Sequence, residues 1–239
     1  MTGVAAGSRR QPQTWLLHGG RRASRWLIRR RYDVREHGTG HVPPQGPVIV
    51  AANHTGVVDG PLLAIFGPRP VHALTKEEMF RGPVGPLLRA TGQIELDRGV
   101  CDVRAVRTCR EVLEGGGVVG IFPEGNRGAG DLVAFRNGAA YLVLVTGAPV
   151  VPLTMFGTRP VGGGRNAVPR RGAVLDLVYD APFRVGRLPW PRTRGIVAEA
   201  SRARHARMRE ELAAGLTLTG QTMPGPIPGD PLATDEDAP

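Results

Sequence analysis

The chain has 239 residues, 41% of them hydrophobic and 22% charged, with 31 Lys+Arg against 21 Asp+Glu for a formal charge of +10. That length gives one domain with room for a full core, and that composition excludes wholesale disorder. No run of about eighteen apolar residues occurs and no short apolar segment with a cleavage site opens the chain, so neither a membrane-spanning nor a secreted protein is expected.

The charge is concentrated at the N-terminal end. Residues 1–37 hold nine arginines against only Asp33 and Glu36, whereas the last eleven residues carry Asp230, Asp235, Glu236 and Asp237 with no basic partner. A basic head of this kind meets an anionic partner, either nucleic acid or a phospholipid surface. Arginine is also the general cation of this chain, since Lys76 is its only lysine.

Residues 1–13 read as a basic arm. A helix is predicted from Thr14 to Arg31, with Trp15, Leu16, Gly19, Ala23, Trp26 and Leu27 on one side and Arg21, Arg22, Arg25 and Arg29 on the other. Two uses suit it: lying in a membrane interface, or docking on the core of its own domain. Val48–Ala52 is a continuous apolar run, hence a buried strand. Asp59–Phe66 reads as a helix, with Asp59 at its positive end and Pro61 tolerated in the first turn. Short strands are predicted at Val71–Leu74 and Gln93–Asp97, and a helix from Asp102 to Glu114. Cys101 and Cys109, the only cysteines, are spaced eight apart along that helical stretch, too far to bridge, and are expected as free thiols.

Val118–Phe122 is a further buried strand, Asn137–Thr146 a helix, and Val150–Phe156 and Val174–Val178 strands. A basic helix from Arg192 to Leu212 follows, and the Pro- and Gly-rich acidic stretch from Thr217 is expected to be disordered. The alternation implies an α/β fold, a single-domain mixed sheet flanked by helices, preceded by an N-terminal basic amphipathic helix. The domain limits expected are 1–37 for arm and helix, 38–216 for the domain and 217–239 for the tail.

Gly115-Gly116-Gly117-Val118-Val119-Gly120 fits the dinucleotide pattern G-x-G-x-x-G but leads from a helix into a strand, the reverse of what phosphate binding at a helix N-terminus requires. No phosphate-binding loop, serine-hydrolase elbow or metal-spaced His/Cys cluster occurs, so no metal site is expected. Asn53-His54-Thr55-Gly56-Val57-Val58-Asp59 carries more. An apolar strand delivers His54 into a turn that ends at Asp59, a carboxylate able to hold one imidazole nitrogen while the other serves as a general base. Phe122-Pro123-Glu124-Gly125-Asn126-Arg127-Gly128 leaves the next buried strand and sets a carboxylate beside a guanidinium, where α/β folds place their sites.

Taken together, four blocks between residues 47 and 156 resemble the glycerolipid acyltransferase family, best known for the 1-acylglycerol-3-phosphate acyltransferases. N-H-x4-D is matched by Asn53, His54 and Asp59. The second block is matched by Lys76, Glu78, Met79 and Phe80, then Gly92, Ile94, Asp97 and Arg98. F-P-E-G-T-R-S is matched at Phe122, Pro123, Glu124, Gly125 and Arg127, with Asn126 for the usual Thr and Gly128 for the usual Ser. The fourth fits Val151, Pro152 and Leu153.

The resemblance implies transfer of a fatty acyl group from acyl-CoA or acyl carrier protein to a lysophospholipid hydroxyl, with His54 as base and Asp59 orienting it, and no bound cofactor. It implies Arg127, with Arg98 or Lys76, at the acceptor phosphate, Glu124, Gly125 and Asn126 shaping the acceptor site, and Val151, Pro152 and Leu153 lining an acyl channel. Glycerol 3-phosphate, another lysophospholipid or a glycolipid are alternative acceptors. Amphiphilic substrates imply a peripheral protein on the cytoplasmic face of the membrane, its basic helix on anionic lipid. A nucleic-acid-binding module would rest on charge alone, and with 5% aromatic residues the chain is poor in stacking groups.

Overall fold

The structure, a computed structural model, describes residues 15–100, 102–132, 137–184 and 194–229. The basic arm, Cys101 and the acidic residues from Asp230 onward lie outside them. A seven-stranded sheet runs in the order β1-β7-β6-β2-β5-β3-β4. Its strands are β1 (Asp33–His37), β2 (Val48–Ala52), β3 (Val71–Lys76), β4 (Ile94–Leu96), β5 (Val118–Ile121), β6 (Val150–Phe156) and β7 (Val174–Tyr179). The helices are α1 (Trp15–Arg29), α2 (Asp59–Phe66), α3 (Glu77–Arg81), α4 (Gly85–Ala90), α5 (Val103–Glu114), α6 (Asn137–Thr146) and α7 (Arg194–Thr219).

β2 lies at the centre, parallel to both β5 and β6, and all five of its residues are buried. Its side chains alternate between two cores. Val48, Val50 and Ala52 pack with Leu62, Leu63 and Phe66 of α2, while Ile49 and Ala51 join the core that holds Cys109 and Leu113 of α5 with Met208 and Leu212 of α7. A strand covered on both faces must be apolar throughout, as Val-Ile-Val-Ala-Ala is. β7 runs antiparallel to β6 and β1 parallel to β7, so these two strands oppose the other five. The N-terminal ends of β1 and β7 therefore lie at the same end of the sheet as the C-terminal ends of β2, β5 and β6.

α1 docks on its own domain, and does so with its basic side. The Arg21 and Arg25 side chains donate to the carbonyls of Ile65, Phe66 and Gly67 at the end of α2, with Arg25 Nε at 2.8 Å from the Ile65 oxygen. Those carbonyls have no partner within their helix and carry its negative end, which draws guanidinium groups. Leu17 is buried and Ile28 packs against the core, so the inward stripe is Leu17, Arg21, Arg25 and Ile28. Trp26 and Leu27, expected on the buried side of a docked helix, are instead 60% and 64% exposed.

Three further points differ from the sequence reading. Asp33–His37 forms an edge strand where only arm and helix were expected. Two short helices, α3 and α4, follow β3. Disorder from Thr217 does not hold for residues 217–229: α7 continues to Thr219 and the chain beyond it packs back onto the domain. Ile227 is buried, Met223 touches the second core, and Gln221 donates to Asp176 Oδ2 at 2.9 Å. The Gly115–Gly120 stretch is the turn from α5 into β5, as its order in the chain requires.

Candidate active site

The site forms where β2 and β5 end. Asn53, fully buried, extends the β2–β6 pairing with its side chain: its amide donates to the Met155 carbonyl at 3.1 Å and its oxygen accepts from Met155 N at 2.7 Å. The strand exit is thereby pinned, and the next residue, His54, leaves the sheet in a fixed direction. Its Nδ1 lies 2.8 Å from Asp59 Oδ2. That same oxygen accepts the backbone N–H groups of Thr55 at 2.7 Å and Gly56 at 2.8 Å. Asp59 is fully buried at the first turn of α2, so a carboxylate at a helix N-terminus fixes both the turn and the ring. Gly56 is required by close approach, since a Cβ there would stand 2.3 Å from the Thr158 carbonyl oxygen.

The His54 ring stacks on Phe122 with centroids 4.2 Å apart. With Nδ1 bound to the carboxylate, the neutral ring donates from Nδ1, and Nε2 has no hydrogen-bond partner among the described residues. The His54 side chain is 21% exposed, so part of the ring is open to an incoming group. The arrangement is that of a general base waiting for a proton.

The loop after β5 is tied to the same turn. Glu124 Oε1 accepts from His54 N at 2.7 Å, and Gly128 N donates to the His54 carbonyl at 3.0 Å. Gly125 has φ +73°, which glycine adopts at no steric cost and which lets its N–H reach the Phe122 carbonyl at 2.9 Å. Burial raises the Glu124 carboxyl to about 8, with the charges of Asp131 and Asp59 acting the same way and the His54 N–H opposing. Arg98 reaches across from the end of β4 and donates to the Gly125 carbonyl at 2.5 Å and Asn126 Oδ1 at 2.6 Å. It joins the second block to the third. Arg127 donates to the Arg165 carbonyl at 2.8 Å and to Asn166 Oδ1 at 3.2 Å. Burial, then the nearby Arg165, lowers its pKa. Lys76 ends β3, opposite Leu96 in the β3–β4 ladder and next in the chain to α3.

Val151, Pro152 and Leu153 stand differently. They lie mid-strand in β6 opposite Val50, Ala51 and Ala52 of β2, and all three are buried. Val151 and Leu153 pack within the core on the α2 side.

One residue at the site had no sequence signal. Arg159, 2% exposed, donates to four carbonyls: Thr55 at 3.0 Å, Gly128 at 3.0 Å, Gly163 at 2.5 Å, and Gly225. It holds the His54 turn, the Glu124 loop, the segment after β6 and the chain after α7 in one cluster. Thr158, beside it, hydrogen-bonds Thr55 through their hydroxyls at 2.7 Å. No set of His, Cys, Asp and Glu able to hold a metal ion occurs among the described residues.

The Glu124 environment sets a pH dependence. An acid whose pKa rises from 4.5 to about 8 on folding contributes stability below the lower value, and this is lost as pH climbs through the higher. Glu124→Gln keeps an oxygen for the His54 N–H without the ionisation. Its thermal midpoint is expected to gain on the native chain from about pH 5 to about pH 8. Parallel midpoint-versus-pH curves would remove Glu124 as the titrating group.

The sequence profile named Acyltransferase matches residues 33–156, just over half of the chain. A 1-acyl-sn-glycerol-3-phosphate acyltransferase of Borreliella burgdorferi is 32% identical over 130 residues, covering 51% of this chain and 50% of that protein. One of Bacillus subtilis is 28% identical over 133 residues, covering 55% and 66%. The human beta enzyme of the same name is 29% identical over 159 residues, covering 58% and 55%. Matches of this kind span about half the length of the curated relatives. The crystal structure of the 1-acyl-sn-glycerophosphate acyltransferase PlsC from Thermotoga maritima matches with a TM-score of 0.60 and 27% identity, over 83% of this chain and 78% of that one.

Proposed function

The chain belongs to the acyltransferase family, and from that premise we propose that it esterifies the free hydroxyl of 1-acylglycerol 3-phosphate, giving phosphatidic acid. The observation that carries this reading is the His54–Asp59 pair, at 2.8 Å, with the second imidazole nitrogen uncovered at the end of the central strand. His54 Nε2 takes the acceptor hydroxyl proton as the oxygen attacks the thioester carbonyl of acyl-CoA or acyl carrier protein. The carbon–sulfur bond then breaks, and the imidazolium returns the proton to the leaving thiolate. Asp59 holds the ring and stabilises its charged form between these steps. The acyl group passes directly between substrates, so the reaction needs neither an acyl-enzyme nor a metal or bound cofactor.

The relatives' names support 1-acylglycerol 3-phosphate as acceptor. Arg127 and Arg98, with Lys76 at the neighbouring strand end, are the cations assigned to its phosphate, a role to which guanidinium groups are suited by geometry. Substrates of this class live in a bilayer. No helix among the described residues is long and apolar enough to cross one, and a peripheral attachment through α1 is proposed. Trp26 and Leu27 face outward while the arginines behind them hold the helix to the domain.

The test is thiol release from a long-chain acyl-CoA, with and without 1-acylglycerol 3-phosphate, with phosphatidic acid identified as product. Release that depends on that acceptor supports the reading; release with glycerol 3-phosphate alone would replace the acceptor. For the attachment, Trp26→Ser with Leu27→Ser is expected to weaken sedimentation with anionic vesicles at least about tenfold, from the apolar area lost to the interface. Undiminished sedimentation would remove α1 from the attachment.

A further inference from the structure

On the sheet end that carries His54, but on the far side of β6 and β7, the turn from α1 into β1 and the turn leading into β7 enclose an open cavity of about 300 Å³. Four arginines line it, Arg29, Arg30, Arg31 and Arg171, with one acid, Asp33. The acid is already matched, by Arg35 at 2.8 Å. Arg29 is matched as well, donating to Glu36 Oε2 at 2.6 Å and to the Val34 carbonyl at 2.8 Å.

Arg30, Arg31 and Arg171 have no acidic partner among the described residues. Arg31 donates from Nε to the Tyr32 hydroxyl at 3.1 Å, and Arg30 lies over the Trp26 ring at 4.6 Å from its centroid. Neither contact neutralises charge. Arg170, exposed and next to Arg171, adds a further cation. Three unmatched guanidinium groups around a concave wall concentrate anions, and their planar donors fit phosphate oxygens two at a time.

The surroundings decide which phosphate. Trp26, over whose ring the cavity's Arg30 lies, is 60% exposed and Leu27, its neighbour, 64%. Val168, on the turn that leads to Arg171, is exposed as well. Cations beside outward-facing indole and aliphatic groups are the chemistry of a lipid interface. Position agrees with this. β1 is three strand spacings from β2, roughly 14 Å, and its start lies at the same sheet end as His54. A bilayer touching the cavity thus also faces the end of the sheet from which His54 emerges.

We propose that this cavity binds the phosphate of an anionic phospholipid headgroup, a lipid of the supporting bilayer and not the one being acylated. This rests on the reading of a membrane-surface enzyme given above. Seating the headgroup there orients the domain, so that acceptors diffusing in the bilayer meet the His54 end. α1 supplies the apolar contact and the cavity supplies the choice of lipid charge.

The experiment is sedimentation of the full chain with vesicles of phosphatidylcholine alone and of phosphatidylcholine doped with phosphatidylglycerol, for the native chain, R30E/R171E and the milder R171A. The native chain is expected to prefer the anionic vesicles. R30E/R171E loses that preference by about a hundredfold or more, and R171A by about fivefold, because each basic group near an anionic surface contributes about a fivefold factor and a reversed charge counts about twice. Thermal midpoints unchanged from the native chain certify that the variants fold. Native-like anionic preference in folded R30E/R171E overturns the proposal.

Two further arms separate the sources. If inorganic phosphate binds tightly enough to abolish vesicle binding at low millimolar concentration, the cavity is a free-phosphate site and the lipid assignment falls. If R30E/R171E binds vesicles normally but loses acyl transfer from an acidic carrier protein, the patch receives the donor and the lipid assignment falls equally. Sedimentation needs no turnover, so a chain inactive towards 1-acylglycerol 3-phosphate can still show the lipid site, and an active one can lack it.

Discussion

His54→Ala is expected to lower acceptor-dependent thiol release by about 10²–10⁴-fold, the range contributed by a positioned general base. The loss falls on kcat, because Nε2 acts on the hydroxyl proton and makes no contact needed to hold the acyl chain. Asp59→Asn is expected to follow it closely. Asp59 Oδ2 accepts three hydrogen bonds, from the His54 ring, Thr55 N and Gly56 N. An amide oxygen in that place can accept the same three bonds, but the negative charge that stabilises the imidazolium is lost and an NH2 takes the place of Oδ1, which is buried with no hydrogen-bond partner among the described residues. Transfer of the acceptor hydroxyl proton to Nε2 thereby loses the carboxylate that favours it, and kcat falls. Initial rates at saturating donor over a range of pH, for the native chain and both variants, decide the matter. Transfer by His54→Ala at native kcat would end the assignment of His54 as base. A large loss in His54→Ala with native rates in Asp59→Asn would leave the base and remove the orienting role.

Arg159→Met is expected to be the most destabilising single change near the site. The guanidinium satisfies four carbonyls, those of Thr55, Gly128, Gly163 and Gly225, and the side chain is 2% exposed. An unsatisfied buried acceptor costs about 1–3 kcal/mol, so even with water reaching some of them the loss is about 3 kcal/mol or more. Activity is expected to fall by about 10²-fold in protein that remains folded, because the Thr55 carbonyl belongs to the turn that aims His54 and displacement of a catalytic group by about an ångström has that effect. Arg159→Lys can supply at most three hydrogen bonds from a point on one side and is expected to recover only part of both losses. Urea unfolding followed by tryptophan fluorescence gives the stability. The division between kcat and KM at low temperature separates positioning from mere unfolding: a positioning role lowers kcat with KM little changed. A stability within about 0.5 kcal/mol of the native chain would show that the four segments do not depend on this side chain.

Several parts of the molecule were determined by local sequence. β2 and β5 are continuous apolar runs because strands covered on both faces have no polar side to show, and the same pattern marks β6. Helix α5 was legible from its period, its Asp102 cap accepting from Arg104 N and Ala105 N as such a residue does. The His54–Asp59 pair was legible too, because both partners lie in one turn, and so was the family, because its four blocks keep their order.

What the sequence left open depended on partners distant along the chain. β1 was hidden: at the sheet edge it buries Val34 fully but leaves Asp33 and Arg35 exposed, so Asp-Val-Arg-Glu-His shows too little apolar character to stand out. The facing of α1 was decided by the carbonyls at the end of α2, which attract Arg21 and Arg25 and turn Trp26 and Leu27 outward. The chain beyond Thr217 looked too rich in Pro and Gly to order itself, and residues 217–229 are held instead by what they meet: a core that takes Met223 and the Arg159 guanidinium that takes the Gly225 carbonyl. Arg159 itself carries no motif, since nothing in Thr-Arg-Pro shows that four carbonyls from four segments converge on it. Apolar period, caps and a base with its carboxylate are short-range patterns written in consecutive residues; which face a helix presents, where an edge strand closes the sheet and which cation is buried are settled by desolvation and hydrogen-bond satisfaction between segments that only the folded chain brings together.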